Sequence, residues 1–340
     1  MERKTVTMAE IGSRLGVSSA TVAKALHGKG RISAEMVEKI KAVAKELKYV
    51  PNTAARALRT NVKDAVGVLI TLDIVNPWYS QLVSSLEEEL SARGLSMLLG
   101  LAKGDLRKAK NAMPNFLGGR IKGLLAGPLF SRADLAFVEE AIDFGLPVVA
   151  FNSLEELPLN VVDINQAAGA KLAVEHLVEL GHRRIVYLGS PSSVEAQVPS
   201  SRYAGFTSAM KASGLEPLYV SAEGPVSRRA GYQLAEFYLD HQGADRATAF
   251  FCHNDDLALG AMLAFQQRGL RVPEDLSVIG FDDIEESTCS HPSLTTVGGV
   301  MNELAHDLVD LLEQVADSDE VIRKQLIEPK LIVRESTGRA

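Results

Sequence analysis

Residues 61–340 alternate between short apolar runs and helical patterns, and this alternation constrains the fold more than any other feature. The runs have the length of strands and are apolar almost throughout, and the stretches between them have apolar residues at helical spacing. Strands of this kind are buried on both faces, which is typical of parallel sheets covered by helices. The eight runs are residues 65–71, 95–102, 121–129, 147–151, 160–164, 184–189, 248–252 and 276–281.

This body is too long for one such sheet of ordinary size, so we expect two α/β lobes. The hydrophobic fraction of 46% is enough to fill their cores and excludes a disordered chain. Open α/β sheets bind ligands beyond the carboxyl ends of their strands. Two lobes would enclose a ligand cleft, and hinge closure is the expected motion.

The charge is divided unevenly along the chain. The net charge is −7, but residues 1–60 contain 12 basic and 5 acidic side chains, whereas the rest contains 24 and 38. A basic head on an acidic body predicts that the head binds a polyanion. A solvated basic helical region is the alternative.

Three short helices are predicted in the head. Thr7 and Glu10 fit a capping box at the start of the first helix, and Gly16 can end it. Ser18 can cap a second helix and Ser33 a third, both with apolar residues at helical spacing. Two helices joined by a glycine-containing turn and braced by a third predict a helix-turn-helix.

The second helix of such a motif enters the major groove of DNA with its first residues at the base edges. Ser19 can donate or accept a hydrogen bond, Ala20 can contact a thymine methyl group, and Lys24 can reach guanine acceptors. A three-helix bundle without DNA contact is the alternative. The predicted DNA contacts of the head are Thr7, Ser18, Ser19, Ala20, Thr21, Lys24 and His27.

Short motifs occur in order along nearly the whole chain. The head contains Thr-Met-Ala-Glu-Ile at 7–11, Gly-Val-Ser at 16–18, Thr-Val at 21–22, Leu-His-Gly at 26–28 and Tyr-Val-Pro-Asn at 49–52. The body contains Asn-Pro at 76–77, Glu-His-Leu at 175–177, Asn-Asp at 254–255, Gly-Phe-Asp-Asp at 280–283 and Arg-Glu-Ser-Thr at 334–337. In this order they resemble LacI/GalR transcriptional regulators.

The resemblance implies an all-α helix-turn-helix head on a two-lobed α/β core of the periplasmic-binding-protein type, in a homodimer on palindromic double-stranded DNA. In this family the chain crosses between the lobes three times. The implied domains are a DNA-binding domain at 1–50, a hinge helix or linker at 51–63 and an effector-binding core at 64–340. The implied N-lobe is about 64–163 and 294–324, and the implied C-lobe is about 164–293 and 325–340.

The resemblance also assigns roles to the segment 51–63, whose alternative is an ordinary linker. In the family this segment becomes a helix only on operator DNA, and a leucine matching Leu58 wedges into the minor groove. Such a wedge unstacks bases at a cost that wider contact offsets. Asn52 can cap the helix, and Arg56 and Arg59 can contact phosphates.

Six side chains of the core match effector-contacting positions of the family: Trp78, Tyr79, Asn152, Arg202, Asn254 and Asp282. Asp282 can accept from hydroxyls, and Arg202 can hold hydroxyls or a carboxylate. The two aromatic rings can stack on a sugar or a base. Asn152 stands where sugar-binding members often have Asp, so a simple sugar does not follow directly.

Other function classes find less support. Catalytic, phosphate-loop and metal-binding motifs are missing, so we expect no enzyme, cofactor or metal. A secreted solute-binding protein would have a signal peptide and no basic head. Two distant cysteines fit a cytoplasmic protein, and no segment is apolar enough to enter a membrane. We therefore expect a repressor gated by a small metabolite. A sugar or sugar derivative is favoured, and a purine or another non-sugar corepressor is the alternative.

Overall fold

The structure is a computed structural model that describes residues 6–26, 32–47, 49, 64–118, 121–129, 132–153, 158–189, 198, 200–221, 226–242, 246–316 and 322–340. The chain divides into two compact units, Met1–Val62 and Lys63–Ala340. Each unit has its own hydrophobic core.

The first unit contains the three helices expected from the sequence. They are α1 (Met8–Leu15), α2 (Ser19–Leu26) and α3 (Ala34–Glu46). The capping box of α1 is confirmed, because the backbone N–H of Glu10 donates to Thr7 Oγ1 and that of Thr7 donates to the Glu10 carboxylate at 2.7 Å. The buried side chains at the centre are Ile11, Val22, Ala25, Ile40 and Ala44.

The second unit alternates strands and helices. Its described strands are β1 (Ala65–Ile70), β2 (Ser96–Leu101), β3 (Ile121–Gly127), β4 (Val148–Ala150), β5 (Asn160–Ile164), β6 (Ile185–Leu188), β7 (Leu218–Val220), β8 (Ala249–Cys252), β9 (Ser277–Ile279), β10 (Thr296–Gly298), β11 (Lys324–Ile327) and β12 (Lys330–Ile332). Its described helices are α4 (Pro77–Ala92), α5 (Leu106–Leu117), α6 (Arg132–Asp143), α7 (Gln166–Glu179), α8 (Arg202–Ala212), α9 (Arg228–His241), α10 (Asp255–Gln267), α11 (Glu286–Cys289) and α12 (Met301–Ala316). Within the described ranges, no helix is long and apolar enough to cross a membrane.

The strands form two parallel sheets, which confirms the predicted pair of α/β lobes. The first sheet has six strands in the order β11-β5-β4-β3-β1-β2, and the second has four in the order β7-β6-β8-β9. Strands β10 and β12 pair antiparallel, and a bridge between Ile279 and Thr295 joins this ribbon to β9. Parallel neighbours in these sheets need crossover connections, and helices of the chain form them.

One lobe boundary differs from the expectation. Strand β11 pairs in parallel with β5, from Lys324 beside Val161 to Ile327 beside Ile164. Residues 325–327 therefore belong to the six-stranded sheet of the first lobe and not to the C-lobe. The strand was missed because it lies at the sheet edge and three of its four residues are exposed, so it lacks an apolar run.

Helices α9 and α10 pack with their backbones in contact. A Cβ atom at Gly231 would lie 1.9 Å from the carbonyl oxygen of Leu257, and one at Gly260 would lie 1.8 Å from that of Arg228. The obstacle is backbone in both cases, so a side chain can be accommodated only by separating the helices.

We therefore expect Gly260→Ala to lower the free energy of unfolding of the core by about 3 kcal/mol, because overpacking forces backbone shifts. Urea unfolding followed by circular dichroism measures this loss. Leu263→Met, a change of similar volume at an exposed position of the same helix, is the matched control and should stay within about 0.5 kcal/mol of the parent. Equal stability of Gly260→Ala and the parent would contradict the close approach.

Candidate functional sites

Helix α2 has a buried side and an exposed side. Val22 and Ala25 face the core of the head, whereas Ser19, Ala20 and Lys24 are exposed. These three exposed residues are the ones for which base contacts are predicted. The helix thus presents a small polar and basic surface at its first turns.

Two of the predicted contact residues also cap helices. Ser18 Oγ accepts from the backbone N–H of Thr21 at 3.1 Å, and the hydroxyls of these two residues are 2.9 Å apart. Thr7, which is exposed, caps α1 as described above. The predicted contacts His27, Asn52, Arg56, Leu58 and Arg59, and the whole segment 51–63, lie outside the described residues.

Arg202 is the centre of a polar cluster in the core. It opens α8, and its Nη2 donates to Asp282 Oδ1 at 3.0 Å. Its Nη1 donates to the carbonyl oxygen of His253 at 2.5 Å, and its Nε donates to Gln166 Oε1. The guanidinium carbon lies 3.9 Å from the centre of the Phe281 ring, a cation–π contact. Both ends and one face of the guanidinium are therefore fixed by the protein.

The Arg202–Asp282 ion pair is buried, with side-chain exposures of 12% and 6%. Burial raises the pKa of Asp282 to about 6, and the charge of Arg202 and its hydrogen bond oppose that rise. The pair stands just after β9, at the carboxyl end of a parallel strand, where open α/β sheets bind ligands. This is the position that the sequence predicts for an effector contact.

The turn that carries Asp282 has an unusual backbone. Asp282 has φ 117° and Asp283 has φ 57°, values that cost residues other than glycine roughly 1–3 kcal/mol each. Two contacts hold the turn: the N–H of Asp282 donates to the carbonyl of Val297 at 2.7 Å, and Arg334 Nη2 donates to Asp283 Oδ1 at 2.6 Å. Strain that is held in this way is typical of functional sites.

Asn254 and Asp255 begin α10 beside this turn. Asn254 is buried, and its Oδ1 caps the helix by accepting from the N–H of Leu257 at 2.9 Å. Asp255 is fully buried and accepts from the hydroxyls of Thr296 and Ser287 at 2.5 and 2.8 Å. Burial, and secondarily the charge of Asp282, raise the pKa of Asp255 to about 8.

The aromatic pair on α4 belongs largely to the core. Trp78 and Tyr79 are 6% and 4% exposed, and their rings meet edge to face with centroids 5.0 Å apart. Tyr79 also has a polar contact, because its hydroxyl accepts from Asn152 Nδ2 at 3.3 Å. Asn152, at φ 48°, thus links the predicted first-lobe contacts into one group.

Asp163 is a candidate site residue that the sequence reasoning missed. It lies in β5, next to the carboxyl end, and is mostly buried. Its carboxylate accepts from the N–H groups of Ser153 and Ile164 at 3.0 and 2.8 Å. Burial raises the pKa of Asp163 to about 7, and the charge of Arg202 opposes this rise, so the two residues interact electrostatically across the lobes. An acidic residue near the end of a predicted strand was the available signal.

The predicted effector residues thus fall into connected groups. Arg202 and Asp282 are in direct contact, Tyr79 and Asn152 are hydrogen bonded, and Asn254 follows the residue whose carbonyl holds Arg202. Trp78 touches the Tyr79–Asn152 pair through its edge-to-face ring contact with Tyr79. Gln166 and His253 complete the Arg202 cluster, but the sequence could not identify them because one acts from a helix start and the other through its backbone.

Comparisons with known proteins agree with both the helical head and the two-lobed core. A family model described as bacterial regulatory proteins of the lacI family matches residues 7–52, and one described as a periplasmic binding protein-like domain matches residues 174–337. The lactose operon repressor of Escherichia coli strain K12 is 32% identical over 336 residues, which cover 98% of this chain and 91% of that protein.

Solved structures show the same similarity. A lac repressor dimer bound to operator and the anti-inducer ONPF has a TM-score of 0.85 at 32% identity, covering 98% of this chain and 100% of that one. A complex of the transcriptional regulator CelR with cellobiose has a TM-score of 0.70 at 26% identity, covering 97% and 99%. The chain belongs to the LacI family of DNA-binding transcriptional regulators.

Proposed function

We propose that this protein is a homodimeric repressor that binds a two-fold related operator and whose affinity for DNA is set by a small metabolite in the interlobe cleft. Helix α2 enters the major groove with Ser19, Ala20 and Lys24 at base edges. The observation that carries the metabolite site is the buried Arg202–Asp282 pair after the carboxyl end of β9. A small metabolite at this site would contact groups that are already held in place.

A sugar or sugar derivative fits this site best. Arg202 and Asp282 together offer directed donors and a carboxylate acceptor, which suit vicinal hydroxyls. The similar regulator CelR has been seen with cellobiose. A purine or another non-sugar corepressor is the second candidate, because the amide of Asn152 both donates and accepts and can pair with the edge of a base.

In the proposed mechanism the metabolite closes the cleft between the lobes, and closure changes the dimer's fit to the operator. A coupling free energy of about 1–3 kcal/mol would change operator affinity about 5–150-fold. Because coupling is reciprocal, operator DNA changes the affinity for the metabolite by the same factor. Whether closure releases or promotes DNA binding depends on which state the metabolite binds more tightly.

The test is thermal unfolding of the full-length protein against a panel of sugars, sugar phosphates, nucleobases and small acids. A compound at 100 times its Kd adds about 2.7 kcal/mol to the stability and raises Tm by several degrees. Each compound that shifts Tm is then titrated against operator binding. An operator affinity that stays constant from zero to saturating compound would contradict metabolite gating.

Base reading by α2 gives a further prediction. We expect Lys24→Ala to weaken operator binding by about 1–3 kcal/mol and to relax the preference at one base position. Lys45→Ala, which removes an exposed cation from α3, is the matched control and should leave the base preference unchanged. Fluorescence anisotropy with single-base operator variants measures both. An equal loss on operator and random DNA would place Lys24 on a phosphate instead.

Two further aspects follow from this function. The named relatives are repressors, and we infer that this chain also acts by binding and not by catalysis. A repressor of this kind acts where the chromosome is, so we place it in the cytoplasm.

A further inference from the structure

The first observation concerns the only basic side chain among the predicted effector contacts. The guanidinium of Arg202 donates to Asp282, to the carbonyl of His253 and to Gln166, and Phe281 covers one of its faces. A phosphate or carboxylate that took both ends of the guanidinium would have to compete with Asp282 for Nη2. The Asp282 carboxylate is buried, and leaving a buried charge without its partner is costly.

The second observation is the excess of carboxylates around this residue. Asp282 contacts Arg202 directly, and Asp163 interacts with it electrostatically from the first lobe. Asn152 stands where sugar-binding members of the family often have Asp. Asp163 supplies a carboxylate in the first lobe in spite of that difference. The described residues of the segments around this cluster, 71–79, 151–153, 158–165, 198, 200–202, 253–256 and 280–284, contain six Asp or Glu residues and one Lys or Arg, which is Arg202. Two of the six, Asp256 and Asp283, pair with Arg228 and Arg334 from outside these segments.

The third observation concerns the N-termini of α9 and α10, since a helix N-terminus is a usual anion site. The first turn of α10 already contains the carboxylates of Asp255 and Asp256. Asp256 also reaches the start of α9, where it accepts from the backbone N–H of Arg228 at 2.8 Å and pairs with its guanidinium. The positive ends of these two helices are therefore neutralised by the chain's own side chains.

We propose that the cleft selects by charge: it takes an uncharged, hydroxyl-bearing metabolite and rejects phosphate esters and carboxylic acids. The proposal rests on the proposed function and narrows the effector class of that same site. Like charges disfavour an anion, and the one suitable cation is neutralised. A phosphorylated form of an effector should bind at least about 100-fold more weakly than the unmodified form, a ratio within the range of one strong charge repulsion.

The first experiment uses metabolites extracted from the source cells and separated on a strong anion exchanger at neutral pH. The flow-through contains uncharged and cationic compounds, and the retained fraction contains phosphates and acids. We expect the flow-through to raise the Tm of the full-length protein by several degrees and to change its operator affinity, and the retained fraction to do neither. Activity in the retained fraction would overturn the proposal.

The second experiment uses inorganic phosphate as the probe and needs no effector. We expect 10 mM phosphate, compared with chloride at equal ionic strength, to leave the Tm of the parent protein unchanged. Asp282→Asn frees the charge of Arg202, so phosphate should raise the Tm of this variant by a few degrees. Asp163→Asn serves in the same way if Asp282→Asn does not fold.

The control is Glu274→Gln, which removes an exposed carboxylate before β9, at the amino end of the strand that Asp282 follows. It should respond to phosphate as the parent does. Stabilisation of the parent by phosphate as large as that of Asp282→Asn would overturn the charge proposal. If neither metabolite fraction changes Tm or operator affinity, metabolite gating itself fails, and the phosphate comparison still decides the charge preference of the cleft.

Discussion

Replacing Arg202 by methionine is expected to abolish the response to effector and to destabilise the core. Methionine keeps much of the apolar stem but makes none of the bonds to Asp282, His253 and Gln166. Breaking a buried ion pair by removing one partner costs about 3–5 kcal/mol, because the remaining charge has no compensation. Urea unfolding measures the stability, and effector titration of operator binding measures the response.

The double variant Arg202→Met/Asp282→Asn separates stability from function. It removes the charge that the single variant leaves behind, so it should recover most of the lost stability. It should remain unresponsive to effector, because both proposed metabolite contacts are changed. A double variant that regains the response would show that the pair is only structural. Operator binding without effector, which depends on the head, is the internal control for each variant.

The fold was largely predictable because its signals are local. Apolar runs buried on both faces mark the central strands of both sheets, and caps such as Thr7 with Glu10 mark helix starts. Strand β11 escaped prediction because an exposed edge strand has no apolar run. Strands β7 and β12 also escaped prediction, and none of their residues is fully buried.

The site was predictable only in part because its contacts are not local. Arg202 and Asp282 were found as polar residues near strand ends, but their pairing joins positions 80 apart in sequence. The positive φ of Asp282 is not visible in the residue type, since glycine is the usual choice there. The carbonyl of His253 could not be foreseen, because any residue supplies one.

Asp255 is expected to make the core less stable as the pH rises. It is fully buried at the start of α10, and burial raises its pKa from an ordinary 3.8 to about 8. A carboxyl whose pKa is raised by folding stabilises the folded state below the unfolded value and loses that contribution as the pH rises through the folded value. The window for Asp255 is therefore about pH 4 to 8, with a slope of up to about 1.4 kcal/mol per pH unit.

The carboxyls of Asp163 and Asp282 should also lower the stability as the pH rises, but over narrower pH ranges than Asp255. The pKa of Asp163 is raised to about 7 and that of Asp282 to about 6, in both cases mainly by burial. Their contributions to stability are therefore lost at a lower pH than that of Asp255. Above about pH 7 the remaining slope should come mostly from Asp255, so this residue can be tested by itself.

The Asp255→Asn variant should have a flatter stability profile than the parent between pH 5 and 8. Asparagine has the shape of the protonated carboxyl and keeps an oxygen that can accept from Thr296 or Ser287, but it does not titrate. Near pH 5 the two proteins should therefore be closest in structure and charge. As the pH rises, the free energy of unfolding of the parent should fall relative to that of the variant. Urea unfolding at pH 5, 6, 7 and 8 measures the difference, with Glu274→Gln as the exposed control. Parallel profiles would mean that Asp255 is ionised throughout, with its hydroxyl and amide donors outweighing the cost of burial.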